Sequence, residues 1–265
     1  MKRDFLHNKS ILAIDVGNTN VLFAIISASG IGKNFRLSTV LERTSDEYLT
    51  SIIPNFLDYD ETKNIQDVII CSVVPSTTFE LKRFIKNIFK NEPKLIGEDI
   101  SPDLKILTQR PEEVGSDRLV NSLAAYKLYG GEKIIIDFGT ATTFDVINKE
   151  GSYLGGVIAP GIELSLDSLD KATARLPRIA VKKPNSIIGK DTVSAMQSGI
   201  YWGYIGLLEG IISRIKREID IDMDVIATGG LASLFFKDSK LISKVDSDLT
   251  IKGIAYTWNP SLDIF

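Results

Sequence analysis

Residues 11–28 read ILAIDVGNTNVLFAIISA. The apolar run 11–14 stops at a carboxylate, Asp15, and Val16 leads into the turn residues Gly17, Asn18, Thr19 and Asn20. Val21 and Leu22 open a second apolar run that continues to residue 26. Two β-rich runs joined by a Gly/Asn-bearing turn predict a β-hairpin. The turn also offers backbone N–H groups, a hydroxyl and amides aimed at one spot, the makings of an anion-binding nest. A buried strand that ends in Asp beside such a nest suggests a phosphate and its metal held at a sheet edge.

The phrase returns at 134–147, IIIDFGTATTFDVI: an apolar run, Asp137, Gly139, three threonines at 140, 142 and 143, then a second run carrying Asp145. Asp15 and Asp137 lie 122 positions apart, close to half of the 265 residues. One such hairpin is an ordinary turn. Two at half-length spacing describe an internal duplication, so the chain reads as two domains of similar size, with the division expected at 114/115: residues 1–114 and 115–265.

Composition excludes several classes. Lys and Arg number 31 against 34 Asp and Glu, a net charge of −3, so no basic field suited to nucleic acid is expected. No apolar run approaches the ~18–20 residues that cross a bilayer, so no membrane partner is expected. The single cysteine, Cys71, allows no internal disulfide and fits a reducing compartment. The opening MKRDFLHNKS lacks the apolar stretch of a secretory signal. The expectation is a cytoplasmic protein. The only histidine, His7, sits in that polar leader, which argues against Ser-His-Asp or Cys-His catalysis and His-rich metal sites. Acid–base work then falls to carboxylates, lysines or tyrosines.

Along the chain, 33–38 reads as a third strand, and Ser45-Asp46-Glu47 opens an amphipathic helix (Tyr48, Leu49, Ile52, Ile53, Phe56, Leu57) that Pro54 kinks or ends. Residues 67–75 form a buried strand in which Cys71 reads as core filling. Ser76 is expected to cap a helix running to Lys90, with Phe79, Leu81, Phe84 and Ile85 among its apolar positions. Gly115, Ser116, Asp117 and Arg118 precede or open a further helix. Ser116 or Asp117 reads either as an N-cap, or Asp117 accepts a proton while Arg118 offers two parallel donors to a carboxylate. Later, 151–161 contains a short strand with paired glycines, Glu163 starts a helix, and Arg175, Arg178, Lys182, Lys183 and Lys190 form a basic connector. That connector reads as a solvated loop, with one member able to meet phosphate or a carboxylate. Residues 192–219 form the longest helix, its glycines at 199, 203, 206 and 210 leaving one face nearly bare for a helix of the same domain or of a second subunit. A strand at 224–229 ends at Gly229-Gly230, where a base and ribose could lie against backbone. Walker-type and Rossmann glycine signatures are absent.

The duplicated strand–Asp-x-Gly–strand unit resembles the actin/hexokinase/Hsp70 group: an α/β fold of two duplicated ribonuclease H-like (actin-like ATPase) domains, each a mixed central sheet flanked by helices. Within that group, DVGNTN at 15–20, GSDR at 115–118, DFGTATTFD at 137–145, GGVIAPG at 155–161 and GKDTVSAMQSG at 189–199 together resemble type III pantothenate kinase. The resemblance implies ATP-dependent phosphorylation of the primary hydroxyl of pantothenate, the first step towards coenzyme A. It also implies Mg²⁺, a monovalent cation (K⁺ or NH₄⁺) and a homodimer. By position it assigns ATP phosphates to the loop 15–22 (Asp15, Val16, Gly17, Asn18, Thr19, Asn20, Val21, Leu22). It assigns the general base to Asp117, and pantothenate contacts to Gly115, Ser116, Asp117, Arg118 and Thr192. The monovalent cation falls to Asp137, and a further ATP contact to Thr140. Two positions depart from the family: Ser116 stands where alanine is usual, and Thr108 where many members carry a substrate-touching tyrosine.

The chemistry is coherent with these residues. Phosphoryl transfer needs positioning and charge neutralisation more than covalent help, and carboxylates at buried strand ends are sensible when cations offset their desolvation. Two other readings keep the sequence pattern. One is another kinase or a phosphatase of the same superfamily, acting on a sugar, acetate or polyphosphate. The other is a nucleotide-binding regulator without catalysis.

Overall fold

In the computed structural model, which describes residues 9–56, 59–89, 92–172 and 179–265, the first apolar run becomes β1 (Ser10–Val16). It pairs antiparallel with β2 (Asn20–Ser27), and β2 with β3 (Gly30–Ser38). On its other side β1 pairs in parallel with β4 (Ile65–Ser72), and β4 with the two-residue β5 (Lys94–Leu95), giving the order β3-β2-β1-β4-β5. Ile11, Leu12, Ala13 and Ile14 are all fully buried, so both faces of β1 are covered and no polar alternation is needed. His7, Leu57, Lys90, Arg175 and Arg178, singled out from the sequence, lie outside the described residues.

One face of this sheet (Leu12, Ile14, Phe23, Val68, Ile70) packs on α1 (Ser45–Ile52) and α3 (Pro75–Phe89) through Tyr48, Ile52, Leu81, Phe84 and Ile85. Between those helices in sequence lies the short α2 (Tyr59–Asn64). Thr44 and Glu47 form a capping box at the start of α1, whose last residue precedes Ile53-Pro54, as expected where a proline disfavours the helix before it. The start of α3 differs from expectation. Pro75, not a residue after Ser76, is its first residue, a position where the missing N–H costs nothing. Thr77 and Thr78 turn inward while Phe79 is 63% exposed.

The opposite face (Ile11, Ala13, Ile69, Cys71) is covered by Val120 of α4 (Ser116–Tyr129) and by Ile251, Ile254 and Ala255 of the last helix, α8 (Leu249–Trp258). Helices α4 and α8 approach closely: a Cβ on Gly253 would lie 2.1 Å from the Val120 carbonyl oxygen. Trp258 Nε1 donates to Asp67 Oδ2 at 2.8 Å, and Lys94 pairs with the same carboxylate at 3.0 Å, fastening the chain's end to β4.

These contacts move the domain division. The chain separates into residues 1–130 with 248–265, and residues 131–247. The sequence expectation divided it at 114/115. Helix α4 belongs with the first unit because its apolar face is buried on α8 and β4.

The second unit repeats the plan. Strands β6 (Lys133–Phe138), β7 (Ala141–Ile147) and β8 (Tyr153–Pro160) are antiparallel neighbours; β9 (Asp224–Gly229) and β10 (Lys244–Val245) add in parallel, in the order β8-β7-β6-β9-β10. Counted from the first strand of each unit, the two orders are identical, which is the duplication read from the sequence. Ile134, Ile136, Phe138 and Phe144 pack on Tyr201, Tyr204, Leu208 and Ile212 of α6 (Thr192–Ile219), with Phe235 of α7 (Ala232–Phe236) stacked between Phe138 and Tyr201. Helix α5 (Ile162–Ala172) follows β8 and contacts α6. Asp191 caps α6, accepting from Ser194 N at 2.9 Å, and Asp220 closes it at φ 59°. Among the described residues, no atom lies within 4 Å of where a Cβ would sit on Gly199, Gly203 or Gly206. The expectation of a helix from the same domain on that face is therefore not met. No helix of the described residues is long and apolar enough to cross a membrane.

Candidate functional site

In the first unit the β1–β2 turn is tight: Gly17 N donates to Asn20 O at 2.9 Å, with Asn18 and Thr19 exposed. A strap that the sequence reading did not identify secures it. Thr39 Oγ1 donates to the Gly17 carbonyl at 2.7 Å and Thr39 N to the Thr19 carbonyl at 2.8 Å, so the loop is held from beyond the end of β3. Asp15 and Leu22 face each other across the ladder and are half-buried; Val16 and Val21 are buried beneath the turn.

Asp15 is also level with Cys71 on β4, which brings the second candidate group in. The Cys71 thiol donates to Ser116 Oγ at 3.4 Å, and Ser116 Oγ donates to the Ser72 carbonyl at 3.2 Å. These two bonds fix the first turn of α4, where Gly115 is the N-cap without any side-chain cap bond. Neither Ser116 nor Asp117 is therefore the N-cap. Ser116 ties the helix start to β4, and Asp117 occupies the first helical turn with its Oδ1 accepting from Arg118 N at 2.8 Å. Burial pushes the Asp117 carboxyl above its ordinary value, against that bond and the Arg118 charge. The Cys71 thiol is pushed well up by burial, then by the Asp15 charge, while the Ser116 bond opposes this and Asp117 adds a smaller push. Asp15 is level with the thiol, and the thiol's hydrogen-bond partner Ser116 directly precedes Asp117, so Asp15 and Asp117 share a neighbourhood. Cys71 itself is fully buried packing, held as a thiol. Thr108 Oγ1 is buried without a hydrogen-bond partner among the described residues.

In the second unit Asp137 stands near the end of β6 and Thr140 in the turn to β7. Asp137 lies opposite Thr143 on β7 and Thr228 on β9. Backbone crowds this corner on two sides. Gly229, at φ +90°, would place a Cβ 2.6 Å from the Phe138 carbonyl oxygen and 2.7 Å from Asp137 Oδ1. Gly161 would place one 2.2 Å from the Thr140 carbonyl oxygen and 2.7 Å from that of Gly139. Glycine at these two positions lets backbone lie against Asp137 and against the carbonyl oxygens of Phe138, Gly139 and Thr140; a carboxylate with carbonyl oxygens is a donor set that suits a hard cation. Two positions further along β7, Asp145 is fully buried; Tyr153 donates to its Oδ1 at 2.7 Å and Thr143 to its Oδ2 at 3.1 Å. Among the described residues no group of three or more His, Cys, Asp or Glu side chains converges as a ready-made metal cage.

Thr192 is exposed as the first residue of α6. Beside it, Lys182, Lys190, Ser194 and Gln197 help line a cavity of about 300 Å³. The loop leading there is anchored by Lys183, which pairs with Asp238 and lies over the Trp202 ring; Tyr201 donates to the same carboxylate. One basic residue of the connector therefore meets a carboxylate of its own chain.

Comparison with known proteins gives a consistent picture. Residues 11–214 match the family model for type III pantothenate kinase. A type III pantothenate kinase of Paramagnetospirillum magneticum is 50% identical over 248 residues, covering 92% of this chain and 95% of that one. A second, of Rhodospirillum rubrum, is 47% identical over 248 residues, covering 92% and 96%. Among solved structures, the activator of 2-hydroxyisocaproyl-CoA dehydratase from Clostridium difficile, with bound ADPNP, superposes with a TM-score of 0.53 at 12% identity, covering 95% of each chain. The ROK hexokinase of Thermus thermophilus superposes with a TM-score of 0.51 at 11% identity, covering 94% of this chain and 97% of that one. The architecture is the actin-like ATPase and sugar-kinase fold expected from the duplication.

Proposed function

The chain belongs to the type III pantothenate kinase family, and from that premise we propose which of its residues carry the reaction. It is a kinase that transfers phosphoryl from ATP to an alcohol group of pantothenate, in coenzyme A biosynthesis. The observation that carries the assignment of roles is the Asp15–Cys71–Ser116–Asp117 neighbourhood, in which Asp15 lies level with Cys71 on the adjacent strand and the Cys71 thiol donates to Ser116, next to the half-buried Asp117.

In this reading the loop 15–22, held by Thr39, receives the ATP phosphates on its amides and hydroxyls. Thr140 is a further ATP contact. Gly115, Ser116, Arg118 and Thr192 position pantothenate, with Arg118 offering parallel donors to its carboxylate. Asp117 accepts the proton of the pantothenate primary hydroxyl as its oxygen bonds to the γ-phosphorus; the bond from that phosphorus to the bridging oxygen breaks and ADP leaves. A carboxylate made more basic by burial is better matched to that task than an ordinary one. Mg²⁺ and K⁺ or NH₄⁺, when bound, neutralise phosphate charge. Asp15 suits the first, since Mg²⁺ is commonly held by one or two carboxylates together with substrate phosphates. Asp137, with the carbonyl oxygens of its glycine-walled corner, suits the monovalent ion. The working form is proposed to be a cytoplasmic homodimer that uses the open Gly199–Gly203–Gly206 face of α6.

The test is ATP-dependent phosphorylation of pantothenate, followed by ADP release, with KCl exchanged for NaCl at fixed ionic strength. The expected result is turnover of pantothenate that falls in Na⁺, and loss of turnover with retained ATP binding in Asp117→Asn. Turnover of a hexose in place of pantothenate would overturn the substrate assignment.

A further inference from the structure

Asp145 is the most deeply buried carboxylate of the second unit's sheet, and the reaction as assigned makes no use of it. A fully buried charge is costly unless its surroundings are built for it. What surrounds it has a direction. Side chains two apart on a strand share a face, so Asp145 and Thr143 lie on one side of β7. Asp137 is the cross-strand neighbour of Thr143, a relation that puts Cβ atoms about 4.5–5.5 Å apart. The three side chains share one face, with Thr143 at the corner between Asp145 along β7 and Asp137 across the ladder.

A hydroxyl has one hydrogen to give and two lone pairs. Thr143 gives its hydrogen to Asp145 Oδ2 at 3.1 Å. Its hydrogen is thereby committed along β7, and its lone pairs are left for the space beside it, with Asp137 across the ladder. Tyr153 holds the other oxygen, Oδ1, at 2.7 Å, which stops the carboxylate from turning. The arrangement converts a threonine that could donate towards Asp137 into an oxygen that can only accept.

We infer that Thr143 is a second ligand of the monovalent cation at Asp137, and that Asp145 is the positioning residue that fixes its hydroxyl as a cation-facing acceptor. This rests on the cation reading of Asp137. Such a cation also lies near both carboxylates of the group, and so offsets the cost of keeping Asp145 charged.

The test measures thermal stabilisation of the full-length protein with ADP present, titrating KCl against choline chloride at constant ionic strength. In wild type, K⁺ should raise the melting temperature saturably. In Thr143→Val and Asp145→Asn the half-saturating K⁺ should rise ~10–100-fold, the range typical when a partner of a metal ligand is removed. Thr143→Ser, which keeps the hydroxyl, should stay near wild type. The amide of Asp145→Asn would donate to Thr143 Oγ1 and turn its hydrogen towards Asp137, so its effect is on cation affinity and not only on packing. Should Asp145→Asn fail to fold, Thr143→Val against Thr143→Ser still decides, since both remove or retain the oxygen at similar volume. If Asp137→Asn abolishes the K⁺ response while Thr143→Val and Asp145→Asn leave it intact, the present inference alone is overturned. If Asp137→Asn also leaves it intact, or wild type shows no K⁺ response, the cation reading and this inference fall together.

Discussion

Replacing Asp117 by asparagine separates what the residue does for stability from what it does for chemistry. Its carboxyl is shifted upward chiefly by burial, which outweighs the Arg118 backbone bond and the Arg118 charge. The ionised form is therefore disfavoured in the folded protein, and an amide of the same size removes the charge while keeping an oxygen to accept from Arg118 N. At neutral pH the variant should be more stable by on the order of 1 kcal/mol, typical of relieving a strained active site. For a unit of this size that corresponds to roughly 2–4 °C in Tm. The sign can be checked against pH. A raised folded-state pKa means the native protein binds the proton more tightly than the unfolded chain. The protonated carboxyl's contribution is fully present below the unfolded pKa and is lost as pH rises through the folded value. The advantage of Asp117→Asn should accordingly be largest at neutral pH and vanish as pH falls below the ordinary carboxylate range. Turnover should drop ~10²–10⁴-fold, the usual contribution of a general base, or about 3–5 kcal/mol of barrier. Calorimetric scans from pH 4 to 8 alongside single-turnover phosphorylation measure both. A variant that is less stable at neutral pH, or that keeps kcat within tenfold, refutes the reasoning.

Two further outcomes follow from the glycines. Gly229→Ala places a methyl 2.6–2.7 Å from Phe138 O and Asp137 Oδ1 at a φ of +90°, so backbone strain and overpacking add to about 2–5 kcal/mol of lost stability; thermal melts should show it together with a weakened K⁺ response. A Cβ on Gly203 meets nothing within 4 Å in the described chain, so the Gly203→Leu subunit should fold normally while light scattering shows the dimer dissociating; an unchanged mass refutes that face as the interface.

Both hairpins were legible because each is an apolar run cut off by Asp and a Gly/Asn or Gly/Thr turn, and burial on both faces left no competing periodicity. The identical strand orders then follow from the repeat. The last helix escaped notice because LTIKGIAYTW has no polar face to give it a period: Leu249, Ile251, Ile254, Ala255 and Tyr256 are all buried. Missing that helix also misplaced the domain division, since α4 looks like the start of the second half until its partner α8 is known. Of the proposed site, the sequence could name Asp15, Asp117 and Asp137 as candidates. It could not show that Ser116 bonds to the end of β4, because that contact joins residues 44 apart. The group Asp137, Thr143, Asp145 was within reach of register counting across the second hairpin, but the direction in which Thr143 donates needed side-chain positions. Phe79 is the opposite case: helical spacing favoured burial, yet the start at Pro75 rotates Thr77 and Thr78 inward instead.

The return of α8 to the first unit sets an order of assembly on the ribosome. The 131–247 unit is contiguous and can close as soon as it emerges, whereas the sheet face formed by Ile11, Ala13, Ile69 and Cys71 waits for Ile251, Ile254 and Ala255, which follow the whole of the other unit in sequence. The half of the enzyme that is translated first is thus the half that finishes last. A chain cut before Ile251 would leave that greasy surface bare with every proposed catalytic side chain already in place.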